Sequence, residues 1–229
     1  MHNLAILSNK NNPFLPLYFL NLKKKKIKNL FFFLEEKTIS KKDKQIIFSR
    51  LNKKTKTFLN KKKYKFIKKN INTFYFKSFN NLKSFNFLKK KKIKYFLNAG
   101  VMEKLDKNMV KFKIINVHPG ILPYYRGCSC PEWALYNNDD VGITAHFMNK
   151  NYDAGRIIKI KKINKKIKNY KDFRTNLYNE SIKMGVDLLS ALTTRKKLGV
   201  FKKQNSKKAK YYPPIPQNLF NKVLKKFEK

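Results

Sequence analysis

Three side chains near the middle of the 229-residue chain are of types that together can promote acyl transfer: Asn116, His118 and Asp153. Residues 113–117 predict a strand that delivers His118, and side chains two apart on a strand point the same way. Asp153 follows in the turn-like segment Asn-Tyr-Asp-Ala-Gly. An amide and a protonated imidazole can stabilise an oxyanion, and a carboxylate can orient the imidazole and handle the proton. The set therefore predicts an acyl-transfer site.

Other interpretations of these residues stay open at this point. Asn116 and His118 could make ordinary hydrogen bonds in a loop, and Asp153 could bond to its own backbone in a turn. Either Cys128 or Cys130 could act as a nucleophile beside His118, although the sequence shows nothing that would lower a thiol pKa there. The residues alone do not separate these alternatives.

Zinc binding is a further alternative, and phosphate binding by a glycine-rich loop is excluded. The zinc ligands would be Cys128, Cys130, His118 and His146, but Cys-x-Cys is tighter than the usual two-to-four-residue gap. The first glycine of the chain is Gly100, so neither a P-loop nor a dinucleotide-binding turn can follow an early strand. We expect no metal.

The block that holds these residues differs in composition from the rest of the chain. Between Ile114 and Ile158 there are three lysines or arginines and four aspartates or glutamates, within a chain of formal net charge +42. Four of the seven glycines and the only tryptophan also lie there. The surrounding residues are dominated by lysine, asparagine and phenylalanine. Specific backbone geometry in this block explains why that composition stops.

Short apolar runs and helical periodicity predict the elements that must position the block. Strands are predicted at Leu4–Leu7, Leu30–Leu34, Thr73–Phe76, Ile93–Leu97, Lys113–Val117, Val141–Met148 and Arg156–Ile163. Helices are predicted at Met102–Val110, at Pro131–Asn137 and, capped by Asp172, from Phe173 to about Arg195. An extended proline segment at Tyr211–Pro216 precedes a terminal basic helix.

Strands that alternate with helices indicate an α/β domain with a mainly parallel central sheet flanked by helices. Ligands of such sheets gather at the carboxyl ends of the strands. His118 directly follows a predicted strand, so the candidate residues lie at that edge.

The positive charge points to nucleic acid only weakly. A pI of about 10.2 fits an anionic partner, but only five of the 55 basic residues are arginine. Lysine, asparagine, isoleucine, phenylalanine and tyrosine all have A/T-rich codons, so codon bias explains the composition without selection for a basic surface. The charge alone therefore does not assign nucleic-acid binding.

Cysteine use and hydropathy indicate the compartment. Two cysteines separated by one residue cannot build a secreted disulfide framework. No apolar run reaches the roughly 18 to 20 residues of a membrane span, and Phe14–Leu22 lacks a following cleavage pattern. Buried strands explain the apolar runs Phe14–Leu22 and Leu30–Leu34 more simply. We expect a cytoplasmic protein without a membrane partner; organellar import stays open.

The runs NVHPGILPYYRG and EWALYNNDDVGITAHFMNKNYDAGRII resemble the catalytic core of the 10-formyltetrahydrofolate-dependent formyltransferases. That family includes glycinamide ribonucleotide, methionyl-tRNA and sugar-nucleotide formyltransferases. Its hallmarks are Asn-x-His, Leu-Pro-x-Tyr-x-Gly and Asp-x-Gly. Here they are Asn116 and His118, residues 122–127 with Arg126 before the glycine, and Asp153-Ala154-Gly155, which begins 35 residues after His118. The resemblance covers about residues 93–160 and implies a Rossmann-like fold.

The resemblance also implies a mechanism and a cofactor, 10-formyltetrahydrofolate, as formyl donor. An amine of the acceptor would attack the formyl carbon while Asn116 and protonated His118 hold the oxyanion and Asp153 orients His118 and assists proton transfer. The residues expected around the folate are Met102, Leu105, Leu122, Pro123, Tyr125, Gly127, Asn149 and Tyr152. Glu103 and Lys104 depart from the apolar or arginine residues often found at this turn, which puts the pterin contacts in doubt.

The same resemblance implies how the chain divides. Residues 1–200 would form the catalytic domain, with 1–92 as a divergent acceptor-side half and 93–160 as the catalytic and folate-binding core. Residues 201–229 would form a basic C-terminal tail with a proline-rich segment and a short helix. The glycine-rich turn that holds the phosphate of glycinamide ribonucleotide is replaced by SNKNNP at residues 8–13.

The acceptor is expected to be a small amine, either of the glycinamide ribonucleotide type or an amino-sugar nucleotide. Methionyl-tRNA is the alternative, with tRNA as partner, although the carboxy-terminal β-barrel of those enzymes does not fit after the long helix. A second alternative is a non-catalytic, basic nucleic-acid-binding protein on the same scaffold. The intact Asn116, His118 and Asp153 count against that alternative.

Overall fold

The computed structural model describes residues 3–27, 29–61, 72–101, 104–164, 167, 169–193 and 201–228. The strands in these ranges are β1 (Asn3–Asn9), β2 (Leu30–Glu35), β3 (Asn72–Phe76), β4 (Ile93–Asn98), β5 (Lys113–His118), β6 (Arg126–Gly127), β7 (Gly142–Phe147), β8 (Ile157–Lys162) and β9 (Tyr211–Tyr212). The helices are α1 (Leu15–Lys24), α2 (Lys41–Ser49), α3 (Lys53–Lys61), α4 (Leu82–Lys90), α5 (Cys130–Tyr136), α6 (Tyr170–Thr193) and α7 (Gln217–Lys225).

Seven of these strands form one sheet in the order β3-β2-β1-β4-β5-β7-β8. The first five run parallel, and β7 and β8 pair antiparallel at the far edge. The expected α/β fold with a mainly parallel sheet flanked by helices is confirmed. Strand order reverses between β1 and β4, which makes the carboxyl ends of these strands the place where a ligand crevice forms.

Both faces of the sheet are buried, as parallel sheets require. In β1, Leu4 and Ile6 pack beneath α1 and α6, whereas Ala5 and Leu7 pack on the opposite side with Leu88 of α4. Their side chains are at most 1% exposed. The alternation of β1 thus joins two layers of helices to one sheet.

Seven strands predicted from apolar runs occur, within one or two residues of the expected bounds. The buried strand expected at Phe14–Leu22 is wrong, because this run lies in helix α1, which has a proline in its first turn. The helix expected at Met102–Val110 is wrong for its described part. Residues 104–106 are irregular and a single 3-10 turn lies at Met109–Lys111, because the Asp106 side chain accepts the backbone N–H groups of Asn108 and Met109 at 2.9 and 2.8 Å.

Helix α6 begins at Tyr170, three residues before the predicted start, and Asp172 lies in its first turn instead of capping it. The Asn169 side chain accepts the Asp172 backbone N–H at 2.8 Å, so Asn169 takes the capping contact. Phe173 and Leu177 of the predicted apolar stripe are fully buried. The proposed end near Arg195 falls outside the described residues.

Residues 201–228 fold back onto the domain. Strand β9 pairs parallel with β6, which joins Arg126 to Tyr211 and Gly127 to Tyr212. Val223 of α7 is fully buried in the apolar cluster beneath α5 and α6. The chain beyond residue 200 therefore supports the loop that follows β5.

Candidate active site

The polar side chains of the site begin at the carboxyl end of β5. Asn116 pairs with His146 and His118 with Thr144 across the antiparallel contact between β5 and β7. Directly opposed residues on neighbouring strands share a face of the sheet. The sheet register therefore brings His146, which the motifs did not single out, beside Asn116.

Asp153 lies in the loop between β7 and β8, and its carboxylate sits between two imidazole rings. Oδ1 is 3.3 Å from Nδ1 of His118 and 3.6 Å from Nε2 of His146. Oδ2 accepts the Gly127 backbone N–H at 3.0 Å. Asn116, His118 and Asp153, which the sequence places far apart, thus meet at one edge of the sheet together with His146.

The contacts of His118 assign its tautomer. Nε2 lies 2.8 Å from the Tyr125 carbonyl oxygen, which only accepts, so Nε2 carries the hydrogen. Burial lowers the pKa of His118 from its ordinary value and outweighs the nearby Asp153 charge, which raises that pKa. The ring is therefore neutral at neutral pH, with its bare Nδ1 facing the carboxylate. A proton arriving at Nδ1 would enter a charge-assisted hydrogen bond with Asp153.

The amide of Asn116 is oriented from both ends. Asn98, at the end of β4, donates to its Oδ1 at 3.2 Å, so the amino group points the other way. That group lies 3.2 Å from Nε2 of His146, whose Nδ1 donates to the Phe147 carbonyl at 2.9 Å. An amide nitrogen has two hydrogens, and His146 takes only one. The other can serve a developing oxyanion.

Asp153 stays ionised under ordinary conditions. Burial raises the pKa of its carboxyl, but the Gly127 N–H, and the His146 and His118 rings when they carry a proton towards it, hold that pKa below its usual range. An anion therefore faces both imidazoles and can stabilise a positive charge on either one.

Small residues let the loop after β5 close over the site. A Cβ on Gly120 would lie 2.5 Å from the Tyr125 carbonyl oxygen and 2.8 Å from Nε2 of His118, so no side chain fits. Gly127 has φ +90°, and a Cβ there would lie 2.5 Å from the Tyr212 carbonyl oxygen. These glycines allow the carbonyl of Tyr125 to reach His118 and the N–H of Gly127 to reach Asp153.

The residues expected around the folate are distributed over three settings. Leu105, Leu122 and Tyr125 are at least 95% buried and pack in the core. Asn149 and Tyr152 are exposed on the loop that carries Asp153. Pro123 and Gly127 use their backbones: the Pro123 carbonyl accepts from the Lys210 N–H at 3.3 Å, and Gly127 donates to Asp153. Met102 lies outside the described residues.

The sequence analysis considered His146 only as a possible zinc ligand, and it did not find Gln204. Alternation along β7 places Ile143, Ala145 and Phe147 together, which leaves His146 on the other face with Thr144. The face of β7 on which His146 lies could be predicted from this alternation, but the pairing of β7 with β5 could not. Gln204 contacts the loop of Asp153 from 51 residues downstream, and nothing in its surroundings along the chain indicates this.

The cysteine alternatives gain no support from the structure. Burial raises the pKa of the Cys130 thiol far above neutrality, so this thiol is not ionised, and Cys128 is exposed. Within the described ranges, no three His, Cys, Asp or Glu side chains are grouped so that they could hold a metal ion. No helix in these ranges is long and apolar enough to cross a membrane.

Comparison with known proteins gives a match to a family model described as formyl transferase, over residues 39–192. A methionyl-tRNA formyltransferase from Halothermothrix orenii is 35% identical over 123 residues, which are 51% of this chain and 38% of that protein. The chain spans less than half the length of the curated relatives that it matches first.

Solved structures show the same fold at low sequence identity. A 4-N formyltransferase from Francisella tularensis has a TM-score of 0.60 and 18% identity, over 92% of this chain and 76% of that one. The phosphoribosylglycinamide formyltransferase from Streptococcus pneumoniae TIGR4 has a TM-score of 0.58 and 16% identity, over 84% of this chain and 99% of that one.

Proposed function

Because the chain belongs to the formyl transferase family, we propose that it transfers a formyl group from 10-formyltetrahydrofolate to the primary amine of an acceptor. The observation that carries this proposal is the meeting of Asn116, His118 and Asp153 at the carboxyl end of β5. The donor supplies an activated formyl group on nitrogen. All other steps follow from side chains of this chain.

Asn116 is proposed to stabilise the oxyanion. Asn98 fixes the direction of its amide, and one amino hydrogen is left over after the contact with His146. A donor oriented before the reaction needs no reorganisation when charge develops, which is why such donors contribute about 10²- to 10³-fold to kcat. The fixed orientation thus supports the role taken from the family resemblance.

His118 and Asp153 are proposed to handle the proton. Attack by the amine forms the new C–N bond and leaves a proton to remove, and Nδ1 of neutral His118 can accept it beside the Asp153 carboxylate. Protonated His118 then contributes positive charge near the oxyanion and returns the proton to the leaving nitrogen as the old C–N bond breaks. The buried setting keeps His118 neutral until that step.

The exposed surface beside Asp153 suits a planar pterin ring. Tyr124 and Tyr152 are 46% and 53% exposed on the two loops that meet at Gly127 and Asp153, and Asn149 is exposed nearby in the chain. Aromatic faces and amide groups can stack on and hydrogen-bond to such a ring. Leu122 and Tyr125 would act through their backbones, because their side chains are buried.

The acceptor is proposed to be a small amine, such as an amino-sugar nucleotide or a compound of the glycinamide ribonucleotide type. The turn after β1, next to the reversal of strand order, is where it would bind. Ser8 donates to the Ala99 carbonyl at 2.7 Å, and Asn12 donates to the same oxygen. Since both donors are already used, these two side chains would not bind the phosphate of either acceptor.

Methionyl-tRNA is the second candidate acceptor. It is favoured by the 35% identity to the Halothermothrix orenii methionyl-tRNA formyltransferase and by the net charge of +42, which would attract an RNA backbone. A reducing, cytoplasmic compartment suits either acceptor, because Cys128 and Cys130 are free thiols.

The direct test is release of tetrahydrofolate from 10-formyltetrahydrofolate in the presence of amino-sugar nucleotides, glycinamide ribonucleotide or methionyl-tRNA. Turnover with one acceptor supports the proposal and identifies the acceptor. The absence of turnover with all of them, together with tight and salt-sensitive RNA binding, would instead indicate a non-catalytic nucleic-acid-binding protein.

The role of His118 is tested with His118→Ala. Turnover should disappear while binding of the folate donor, measured by calorimetry, stays within about threefold of the unsubstituted protein. Near-normal turnover in this variant would remove His118 from the mechanism.

A further inference from the structure

A glutamine from the carboxy-terminal part of the chain holds the loop that carries Asp153. Lys202 pairs with Ile157 through two backbone hydrogen bonds of 2.9 and 3.0 Å, and the Phe201 ring packs edge-on against Phe147 at 5.0 Å. These contacts fix the backbone just before Gln204. Gln204 therefore reaches the loop between β7 and β8 from a docked segment.

Both the nitrogen and the oxygen of the Gln204 side-chain amide make hydrogen bonds. Its Nε2 donates to the carbonyls of Asp153 at 2.8 Å and Gly155 at 2.7 Å. Its Oε1 accepts from Nε and the terminal nitrogen of Arg126 at 3.1 and 2.7 Å. Two carbonyls need a donor and a guanidinium needs an acceptor, so only a glutamine-like amide of this length satisfies both sides.

A tyrosine from the same segment holds the preceding residue of the loop. The Tyr211 hydroxyl donates to the Tyr152 carbonyl at 2.6 Å, and its ring lies 5.5 Å from the Arg126 guanidinium. Carbonyls of Tyr152, Asp153 and Gly155 are thus all bound by residues beyond 200. Arg126 itself is 6% exposed and joins the two holding residues.

The held backbone has an unusual conformation with a direct consequence for the carboxylate. Asp153 has φ 50°, in the left-handed region that non-glycine residues seldom adopt. This conformation persists only where surrounding contacts fix it. It aims the side chain back at Gly127 and the two histidines, so a change in the Asp153 backbone moves the carboxylate away from them.

We propose that Gln204 is a positioning residue, which sets the Asp153 carboxylate between His118 and His146 by holding the carbonyls of Asp153 and Gly155. It touches neither substrate nor reacting atoms. For turnover this inference rests on the proposed formyl transfer; for the placement of the carboxylate it rests on the contacts alone.

The test compares Gln204→Met, which keeps the length but loses the polar groups, with Gln217→Met as control. Gln217 lies on the same carboxy-terminal segment, and its side chain donates to exposed Asn221. We expect Gln204→Met to lower kcat about 10²-fold with KM for the acceptor changed less than about threefold, because a misplaced catalytic group costs roughly that much. The Gln217→Met variant should match the unsubstituted protein.

A second readout needs no turnover. The groups facing the His118 ring are Asp153 from the β7–β8 loop, His146 from β7, Arg126 from β6 and the Tyr125 carbonyl. Asp153 raises the pKa of His118, so its displacement in Gln204→Met should shift the His118 titration to lower pH. NMR of the ligand-free protein measures this, with the resonance assigned from His118→Ala.

Two further variants separate the contacts. Gln204→Glu still accepts from Arg126 but faces the two carbonyls with a carboxylate, and should be as impaired as Gln204→Met. Tyr211→Phe keeps the ring on Arg126 and removes only the bond to the Tyr152 carbonyl, so we expect a loss of about threefold to tenfold. Gln204→Glu provides the test of Gln204 should Gln204→Met fail to fold.

An unchanged kcat and an unchanged His118 titration in folded Gln204→Met would overturn the proposal, as would full activity of Gln204→Glu. If the unsubstituted protein formylates none of the acceptors, the proposed function fails, and the His118 titration alone decides the positioning role.

Discussion

Two regions of the central sheet are stabilised by different kinds of interaction. At the edge formed by β2 and β3, aromatic rings pack against one another; this phenylalanine cluster consists of Phe31, Phe33, Phe74, Phe76 and Phe87. Where β5 pairs antiparallel with β7, side chains are linked by hydrogen bonds and charge; this polar cluster consists of Asn116, His118, His146 and Asp153.

The difference explains which part of the chain could change in composition. Ring packing is only weakly directional, so many apolar sequences fill the same volume, and Lys91 extends over the rings of Phe74 and Phe87 at 4.7 and 5.3 Å. A hydrogen-bonded cluster loses its function when one partner moves by an ångström. A lysine-rich composition is therefore compatible with the phenylalanine cluster and not with the polar cluster.

The largest effect is expected for Asp153→Asn, a substitution in the polar cluster. We expect kcat/KM to fall about 10³- to 10⁴-fold, or about 4 to 5.5 kcal/mol, because the neutral amide cannot stabilise a protonated His118. Thermal unfolding should change little, since asparagine can still accept the Gly127 N–H. Steady-state kinetics and calorimetry measure the two quantities; a rate within tenfold of normal would contradict the role of Asp153.

The opposite pattern is expected for Phe33→Ala in the phenylalanine cluster. Phe33 is fully buried, so the free energy of unfolding should fall by about 3 to 5 kcal/mol, while turnover per folded molecule stays unchanged. Denaturant unfolding measures the loss. Leu82→Ala is the control, because Leu82 is 63% exposed and its truncation should cost less than about 0.5 kcal/mol. A catalytic defect in folded Phe33→Ala would show that the two clusters are coupled.

A smaller effect on turnover is expected when Asn116, the proposed oxyanion donor, is removed. Asn116→Ala should lower kcat about 10²-fold with little change in KM. Asn98→Ala leaves Asn116 in place but removes the contact that orients its amide, and should lower kcat by about tenfold. Equal losses in both variants would show that Asn98 contributes more than orientation.

The smallest expected difference between the two clusters is in the pH dependence of activity and stability. Because the pKa of His118 is lowered from 6.5, its ring stays neutral somewhat below pH 6.5. We therefore expect kcat/KM to fall tenfold for each pH unit only at pH values below the pKa of His118 in the folded protein. The unfolded chain takes up this proton at higher pH than the folded one, so stability is lost as the pH falls from about 6.5 to the folded-state pKa. Phe33→Leu should keep the same pH profile; a shifted inflection would contradict the separation.

Much of the sheet could be predicted from the sequence, whereas the helices of the first half could not. Buried parallel strands appear as apolar runs such as Leu4–Leu7, bounded by polar residues. Helices α2 and α3 are lysine-rich, and α2 has no buried residue, so no apolar stripe marks it. The sequence predicts Asp172 as the cap of α6, but Asn169 makes the capping contact. Asp and Asn are similarly favoured as capping residues, so the sequence does not distinguish them.

The candidate site could be predicted as far as its motifs extend along the chain. Asn116, His118 and Asp153 lie in distinctive segments, and the sheet brings them together. To place His146 in the site, one must know which strand pairs with β5. To place Gln204 there, one must know where the chain beyond residue 200 docks. Both are decided by tertiary packing, which local patterns do not encode.

The pairing of β6 with β9 has a consequence for the timing of synthesis. Gly127 and its partner Tyr212 are separated by 85 positions, so a ribosome needs roughly 4 to 17 seconds to add the second after the first. During that interval β1 to β5 and β7 can already pair, but the loop over His118 lacks its neighbouring strand and the Asp153 loop lacks Gln204. A nascent chain on the ribosome would thus pair these strands before the candidate site is complete.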